Sequence, residues 1–157
     1  MKFLILSDTH GNYPLAIKAL ETAGRVDRIF HLGDCIDDAR LMEELTGHSI
    51  IKVPGNCDLS APEPSEILTV LAGKTFFVTH GDRYNVKSGL SRLHQKASRE
   101  RAQIVLYGHT HQSHIGEIDG ILYVNPGCLR FNWSPSSYAL LTIDSGINRA
   151  RIFQIAP

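Results

Sequence analysis

Apolar residues along this chain come in short runs, and five of the runs stop in the same way. Phe3-Leu4-Ile5-Leu6 gives way to Ser7-Asp8-Thr9-His10-Gly11, and Ile29-Phe30-His31-Leu32 to Gly33-Asp34. Ile50-Ile51-Lys52-Val53 ends at Pro54-Gly55-Asn56, Phe76-Phe77-Val78-Thr79 at His80-Gly81-Asp82, and Ile104-Val105-Leu106-Tyr107 at Gly108-His109-Thr110-His111. Short apolar runs bounded by glycine read as buried strands. Between the first two, Leu15, Ala16, Ala19, Leu20 and Ala23 share one helical face. Asn12 is placed to cap that helix, Pro14 suits its first turn, and Gly24 can end it. Leu41, Met42 and Leu45 predict a second helix closing at Gly47, and Val86, Leu90, Leu93 and Ala97 predict a third from Asn85 to about Arg101.

The opening order of strand, helix, strand, helix, strand implies a parallel sheet with helices on its face. The later pattern is different. Ile67 to Leu71 and Phe76 to Thr79 read as a hairpin, as do Ile115 to Ile118 with Ile121 to Val124 across Asp119-Gly120. Tyr138 to Ile143 and Ala150 to Ile155 make a last pair. About ten strands are too many for one small open sheet, so the expected class is α+β with α/β-like character, two packed mixed β-sheets flanked by helices in four layers.

Length and charge narrow the function. A chain of 157 residues suits one domain, 1–157, with no cap domain and short loops around an open site. Sixteen Lys+Arg against sixteen Asp+Glu argue against a protein that lives on attraction to nucleic acid or anionic lipid. Three cysteines, Cys35, Cys57 and Cys128, show no CxxC pairing and suit reduced thiols in a cytoplasmic protein. The first apolar run is too short for a signal-peptide core, and no run approaches membrane-spanning length.

The five run ends carry the candidate chemistry: Asp8, His10, Asp34, Asn56, His80, His109 and His111. In open α/β sheets the carboxyl ends of strands form the binding crevice, and five ends from one sheet would converge there. Two Asp, one Asn and four His exceed the needs of one ion and suit two. Nitrogen and oxygen donors without thiolate point to Mn, Fe, Zn or Ni rather than Mg or Ca. Two divalent ions facing two carboxylates keep surplus positive charge, which would draw a phosphate ester.

In this order and spacing the motifs resemble the calcineurin-like metallophosphoesterase superfamily, and within it the small bacterial and archaeal phosphodiesterases of the YfcE type. The resemblance runs from Met1 to about Ile155 and implies the αββα sandwich of that family. It implies that Asp8, His10 and His111 hold one divalent ion, that Asn56, His80 and His109 hold another, and that Asp34 bridges both. Manganese is expected first, with iron, nickel or zinc as alternatives. A metal-bridging hydroxide would attack phosphorus in line, with Asn56, Asp34 and His109 as the catalytic candidates. The substrate would be a small phosphate ester, and a homodimer comes from the resemblance alone. A phosphomonoesterase acting on nucleotides, and a non-catalytic scaffold like the retromer subunit of this fold, are the competing functions.

Three positions depart from the family pattern. Cys57 stands where the superfamily usually has a leaving-group acid histidine, Asp82 where relatives often have a second histidine, and Cys128 where serine is usual. A general acid contributes about 10²–10⁴-fold, so activated aryl diesters should be favoured. Asp58 is free to orient a neighbouring ligand. Arg83 and Arg130 are able to grip phosphate oxygens, though exposure is the default for an arginine, and Phe131 and Trp133 are able to line either a pocket mouth or an oligomer interface. His31 reads as a packed strand residue, His48 and His94 as surface residues, and His114 as a neighbour of the His111 loop.

Overall fold

The computed structural model describes residues 1–156 and contains ten strands and three α-helices among them. The first sheet holds β1 (Lys2–Leu6), β2 (Arg28–His31), β3 (Ile50–Lys52), β9 (Ser136–Asp144) and β10 (Ile147–Ile155), in the order β10-β9-β1-β2-β3. The second holds β4 (Glu66–Leu71), β5 (Lys74–Thr79), β6 (Ile104–Leu106), β7 (His114–Ile118) and β8 (Ile121–Asn125), in the order β4-β5-β6-β8-β7. β1, β2 and β3 run parallel, as do β5, β6 and β8, and antiparallel strands extend each set. The two mixed sheets and their flanking helices are those expected from the sequence. The source of the five strand ends is not. They come from two facing sheets, β1, β2 and β3 from one and β5 and β6 from the other, because only packing between sheets decides which strands share one.

Strand alternation builds the layers. In β1, Phe3 and Ile5 face the second sheet while Leu4 and Leu6 pack under α1 (Tyr13–Ala23) and α2 (Ile36–Thr46). In β6, Ile104 and Leu106 face the first sheet while Val105 packs under α3 (Ser91–Arg99). Phe3, Phe30 and Phe76 meet between the sheets with ring centroids 5.4–6.0 Å apart. Each such pair adds about 0.5–1.5 kcal/mol beyond simple burial, and the trio ties the strands that carry the site into one unit.

Local departures have local causes. The third helix is shorter than expected: two 3-10 turns at Asp82–Tyr84 and Val86–Ser88 precede it, and Gly89, at φ 124°, breaks the chain before Ser91. The second helix starts earlier, at Ile36, and Leu45 is exposed rather than packed. Asn12 does not cap α1 through its side chain; its amide donates to the Leu129 carbonyl at 2.7 Å. His94 is not a free surface residue, since its ring nitrogens meet Tyr123 Oη at 2.8 Å and Asp119 at 3.1 Å, joining α3 to the β7–β8 turn.

Candidate metal centre

The fold brings Asp8, His10, Asp34, Asn56, His80, His109 and His111 together at one end of the two sheets. Five of the seven, Asp8, His10, Asp34, His109 and His111, have positive φ between 45° and 66°. Non-glycine residues rarely adopt that backbone, and it clusters where surrounding structure holds strain for function. Asp8 and His10 therefore do not share a side through strand alternation, since β1 ends at Leu6; a left-handed turn aims them. Asp8 N–H donates to the Gly33 carbonyl at 2.9 Å, and Gly11 N–H to Asp38 Oδ2 at 2.8 Å, which fix that turn against the next strand end.

The donors form two groups that share Asp34. Asp8, His10, Asp34 and His111 make one, and Asp34, His80 and His109 the other, with candidate ligand atoms in each within 4.8 Å of one another. His10 Nε2 lies 3.3 Å from His111 Nε2 and 3.6 Å from Asp34 Oδ2. Across the carboxylate, His80 Nε2 lies 3.6 Å from Asp34 Oδ1, 3.2 Å from His109 Nδ1 and 3.2 Å from Asn56 Oδ1. Donors about 2.1 Å from one ion stand roughly 3.0–3.4 Å apart, so these spacings suit divalent cations.

Two further observations fit metal rather than mutual hydrogen bonding. His80 Nδ1 meets the Leu32 carbonyl at 2.7 Å, so that nitrogen carries a proton and the ring turns Nε2 toward the Asn56 and Asp34 oxygens. A divalent cation seated among Nε2 and those oxygens would use all of them as ligands. Asp8 Oδ1 is buried without a hydrogen-bond partner, although His111 Nε2 stands 3.2 Å away. A buried orphan carboxylate oxygen is costly unless an ion completes it.

Other residues hold this arrangement. Asp8 Oδ2 accepts from Ser7 Oγ at 2.5 Å and from His109 N–H at 3.1 Å. Burial opposes ionisation of Asp8, yet the neighbouring His111 and His80 rings and the Ser7 hydrogen bond hold its carboxyl below the usual range. His109 is pushed down by burial first and by His80 and Lys87 next. Asp58 accepts from Cys35 N–H at 2.9 Å, Ile36 N–H at 2.8 Å and Gly55 N–H at 2.7 Å, which positions both Asp34 and Asn56. Asn125 donates to the Gly108 carbonyl at 2.9 Å and steadies the His109 loop. Ser7, Asp38 and Asn125 carried no signal of their own in the sequence. A Cβ on Gly55 would collide with the Asp34 carboxylate, so glycine is required there.

The remaining candidates divide. His31 is fully buried, its Nδ1 accepts from Gly33 N–H at 3.3 Å and its Nε2 meets Thr9 Oγ1 at 3.1 Å; burial pushes its pKa down to about 4. His114 turns away to Tyr107 Oη at 2.9 Å. Cys57 is exposed at the rim; burial of its thiol, then the Asp34 charge, pushes it up to about 11. Cys128 is buried and its thiol donates to the Asp8 carbonyl at 3.2 Å, so it supports the turn as well as filling space. Trp133 stands against the centre, its ring perpendicular to His111 with centroids 5.2 Å apart.

Two sheets, their outer helices and a shared-carboxylate donor set at the strand ends define the metallophosphoesterase class. Residues 1–146 match the calcineurin-like phosphoesterase superfamily domain, and the chain belongs to that superfamily. It is 30% identical to the probable metallophosphoesterase YsnB of Bacillus subtilis, across 99% of this chain and 92% of that one. It is 31% identical to the phosphodiesterase MJ0936 of Methanocaldococcus jannaschii, across 81% and 83%. A Streptococcus pneumoniae protein described as a predicted phosphoesterase superposes with TM-score 0.82 at 29% identity, covering 98% of this chain and 88% of that one. Vps29 of Entamoeba histolytica, in complex with zinc, shares the fold at TM-score 0.77 and 18% identity, covering 98% and 99%. The chain thus falls in the small phosphodiesterase branch, whose family implies divalent metal ions and phosphate-ester substrates. Among the described residues no helix is long and apolar enough to cross a membrane.

Proposed function

We propose that the chain is a metal-dependent phosphodiesterase, a single domain over 1–157 with no cap, whose centre is the cluster at the strand ends. The observation that carries this reading is Asp34, with one oxygen 3.6 Å from His10 Nε2 and the other 3.6 Å from His80 Nε2. Asp8, His10, Asp34 and His111 would hold one divalent ion, and Asp34, Asn56, His80 and His109 the other. Bound there, two such ions supply Lewis-acid stabilisation of phosphoryl oxygens and activation of water near neutral pH.

The chain's own groups do the rest. Asp8, Asp34 and His80 form a floor with side chains at most 4% exposed, while His10 and His111 are 26% and 16% exposed toward solvent. The substrate phosphate approaches from that open side. Asn56, at the rim, offers its amide N–H to a phosphoryl oxygen while its carbonyl faces His80. Cys57 occupies the place of the superfamily's acid histidine, so esters with good leaving groups are preferred. The donor set is nitrogen and oxygen, which supports manganese first and iron, nickel or zinc after it. Three free thiols support a reducing compartment, the cytoplasm.

Metal analysis paired with a substrate panel tests this. With Mn²⁺, bis(p-nitrophenyl) phosphate should turn over faster than p-nitrophenyl phosphate, and Ni²⁺ and Zn²⁺ should give lower rates. Metal bound with no turnover on diesters, cyclic nucleotides or monoesters would favour a scaffold. Faster turnover of monoesters would make it a phosphomonoesterase.

A further inference from the structure

The loop after β8 places an aromatic platform beside the centre. Trp133 is perpendicular to His111 with centroids 5.2 Å apart, and the Arg130 guanidinium lies 5.9 Å from the Trp133 ring centroid. Phe131 follows, 56% exposed, and Trp133 is 37% exposed. Large aromatics left in water next to a site are a marker of recognition rather than of packing. On the side away from His111 the loop borders a groove of about 900 Å³ that is closed by Asn12, Gln154 and Ile155, within the range of small-molecule sites.

This platform is fixed relative to the centre. Leu129 N–H donates to the Asp8 carbonyl at 3.3 Å, and the Asn12 amide to the Leu129 carbonyl at 2.7 Å. Arg130 N–H reaches Cys128 Sγ at 3.4 Å, and Cys128 in turn binds the Asp8 carbonyl. Ser136 Oγ holds the Trp133 carbonyl at 3.1 Å. One end of the loop is therefore bonded to the turn that carries two candidate ligands, while its aromatic residues stay open. A flat ring beside a cationic guanidinium fits a planar, electron-rich group joined to an anion.

Building on the phosphodiesterase reading, we propose that Trp133, Phe131 and Arg130 form a subsite for a planar aromatic group on the ester that the substrate keeps, opposite the leaving group. Trp133 stacks on the ring and Arg130 pairs with the phosphate side, so diesters that keep a nucleoside or aryl group after cleavage are preferred to those that keep an alkyl group. These are specificity residues, and the chemistry stays with the strand-end cluster.

Trp133 is the chain's only tryptophan, so its fluorescence reports the subsite directly. In Mn²⁺-loaded protein, thymidine 5′-phosphate should quench the emission saturably, while inorganic phosphate at equal concentration should not. In kinetics, the p-nitrophenyl ester of thymidine 5′-phosphate is compared with methyl p-nitrophenyl phosphate, since both release the same phenolate. Trp133→Ala should lower kcat/KM for the nucleotide ester about tenfold more than for the methyl ester, mainly through KM, the loss expected for one base–aromatic stack. Trp133→Phe should restore most of the preference. Equal losses on both esters, or equal fluorescence responses to the two ligands, would overturn the subsite. Saturable quenching with no hydrolysis of any ester would instead refute the phosphodiesterase reading and leave the subsite standing.

Discussion

Asp58→Ala tests whether the centre is assembled by the backbone around it. The wild-type carboxylate accepts N–H bonds from Cys35, Ile36 and Gly55 at 2.7–2.9 Å. Two of these donors open α2, and losing a helix N-terminal acceptor costs about 0.5–2 kcal/mol. The Gly55 bond adds about 1 kcal/mol, and water reaching the half-buried site limits the penalty, for a total of about 1.5–3 kcal/mol. At about 2–4 °C per kcal/mol for a domain of this size, the melting temperature should fall by about 3–12 °C. Asp58→Asn keeps one acceptor oxygen and should lose about half as much. Thermal unfolding by circular dichroism in EDTA measures this without metal linkage. Calorimetric Mn²⁺ titration should show affinity down about 10–100-fold, because Asp34 and Asn56 lose their anchored neighbours. A melting temperature within 1 °C of wild type together with unchanged Mn²⁺ affinity would refute the positioning role.

Three other perturbations have defined outcomes. Gly55→Ala forces a methyl into the Asp34 carboxylate, so it should destabilise by about 1–3 kcal/mol or more and weaken metal binding, as chemical denaturation and calorimetry would show. His31, with a pKa near 4 in the fold against about 6.5 unfolded, lets the unfolded chain bind a proton that the folded chain refuses between those values. Stability is therefore intact above pH 6.5 and falls by about 3 kcal/mol as pH drops to 4. His31→Gln should flatten that slope in urea titrations run with chelator; an identical slope would contradict the assignment. Cys57→His introduces an imidazole at the rim and should raise turnover of alkyl diesters at least about tenfold relative to aryl ones, given the 10²–10⁴ reach of a general acid.

Much of the centre was legible because its donors end apolar runs, and a run followed by glycine and a polar side chain is visible in linear sequence. Asp8, His10, Asp34, Asn56, His80, His109 and His111 all stand in such places. The division of those runs between two sheets was not legible, since alternation reports a strand and not its neighbour. Nor was the left-handed backbone at Asp8, His10, Asp34, His109 and His111, which no local residue choice announces. Asp58 was visible only as a carboxylate near a ligand. Its three bonds span 3 to 23 positions, and Asp38 and Asn125 likewise act on groups 27 and 17 positions away, whereas Ser7 bonds its neighbour Asp8. The shortened third helix has its cause in plain view at Gly89, whose breaking effect outweighs the side-chain periodicity around it.

Asp34, shared by the two donor groups, is the residue that would join two ions into one phosphoesterase centre. Manganese content by plasma mass spectrometry, measured on wild type and Asp34→Asn alongside bis(p-nitrophenyl) phosphate turnover, tests it most directly. Two ions per wild-type chain are expected, with fewer than two in the variant and turnover reduced by about 100-fold or more, the scale of losing several kcal/mol of metal-based stabilisation. Two ions retained with undiminished turnover in Asp34→Asn would contradict it.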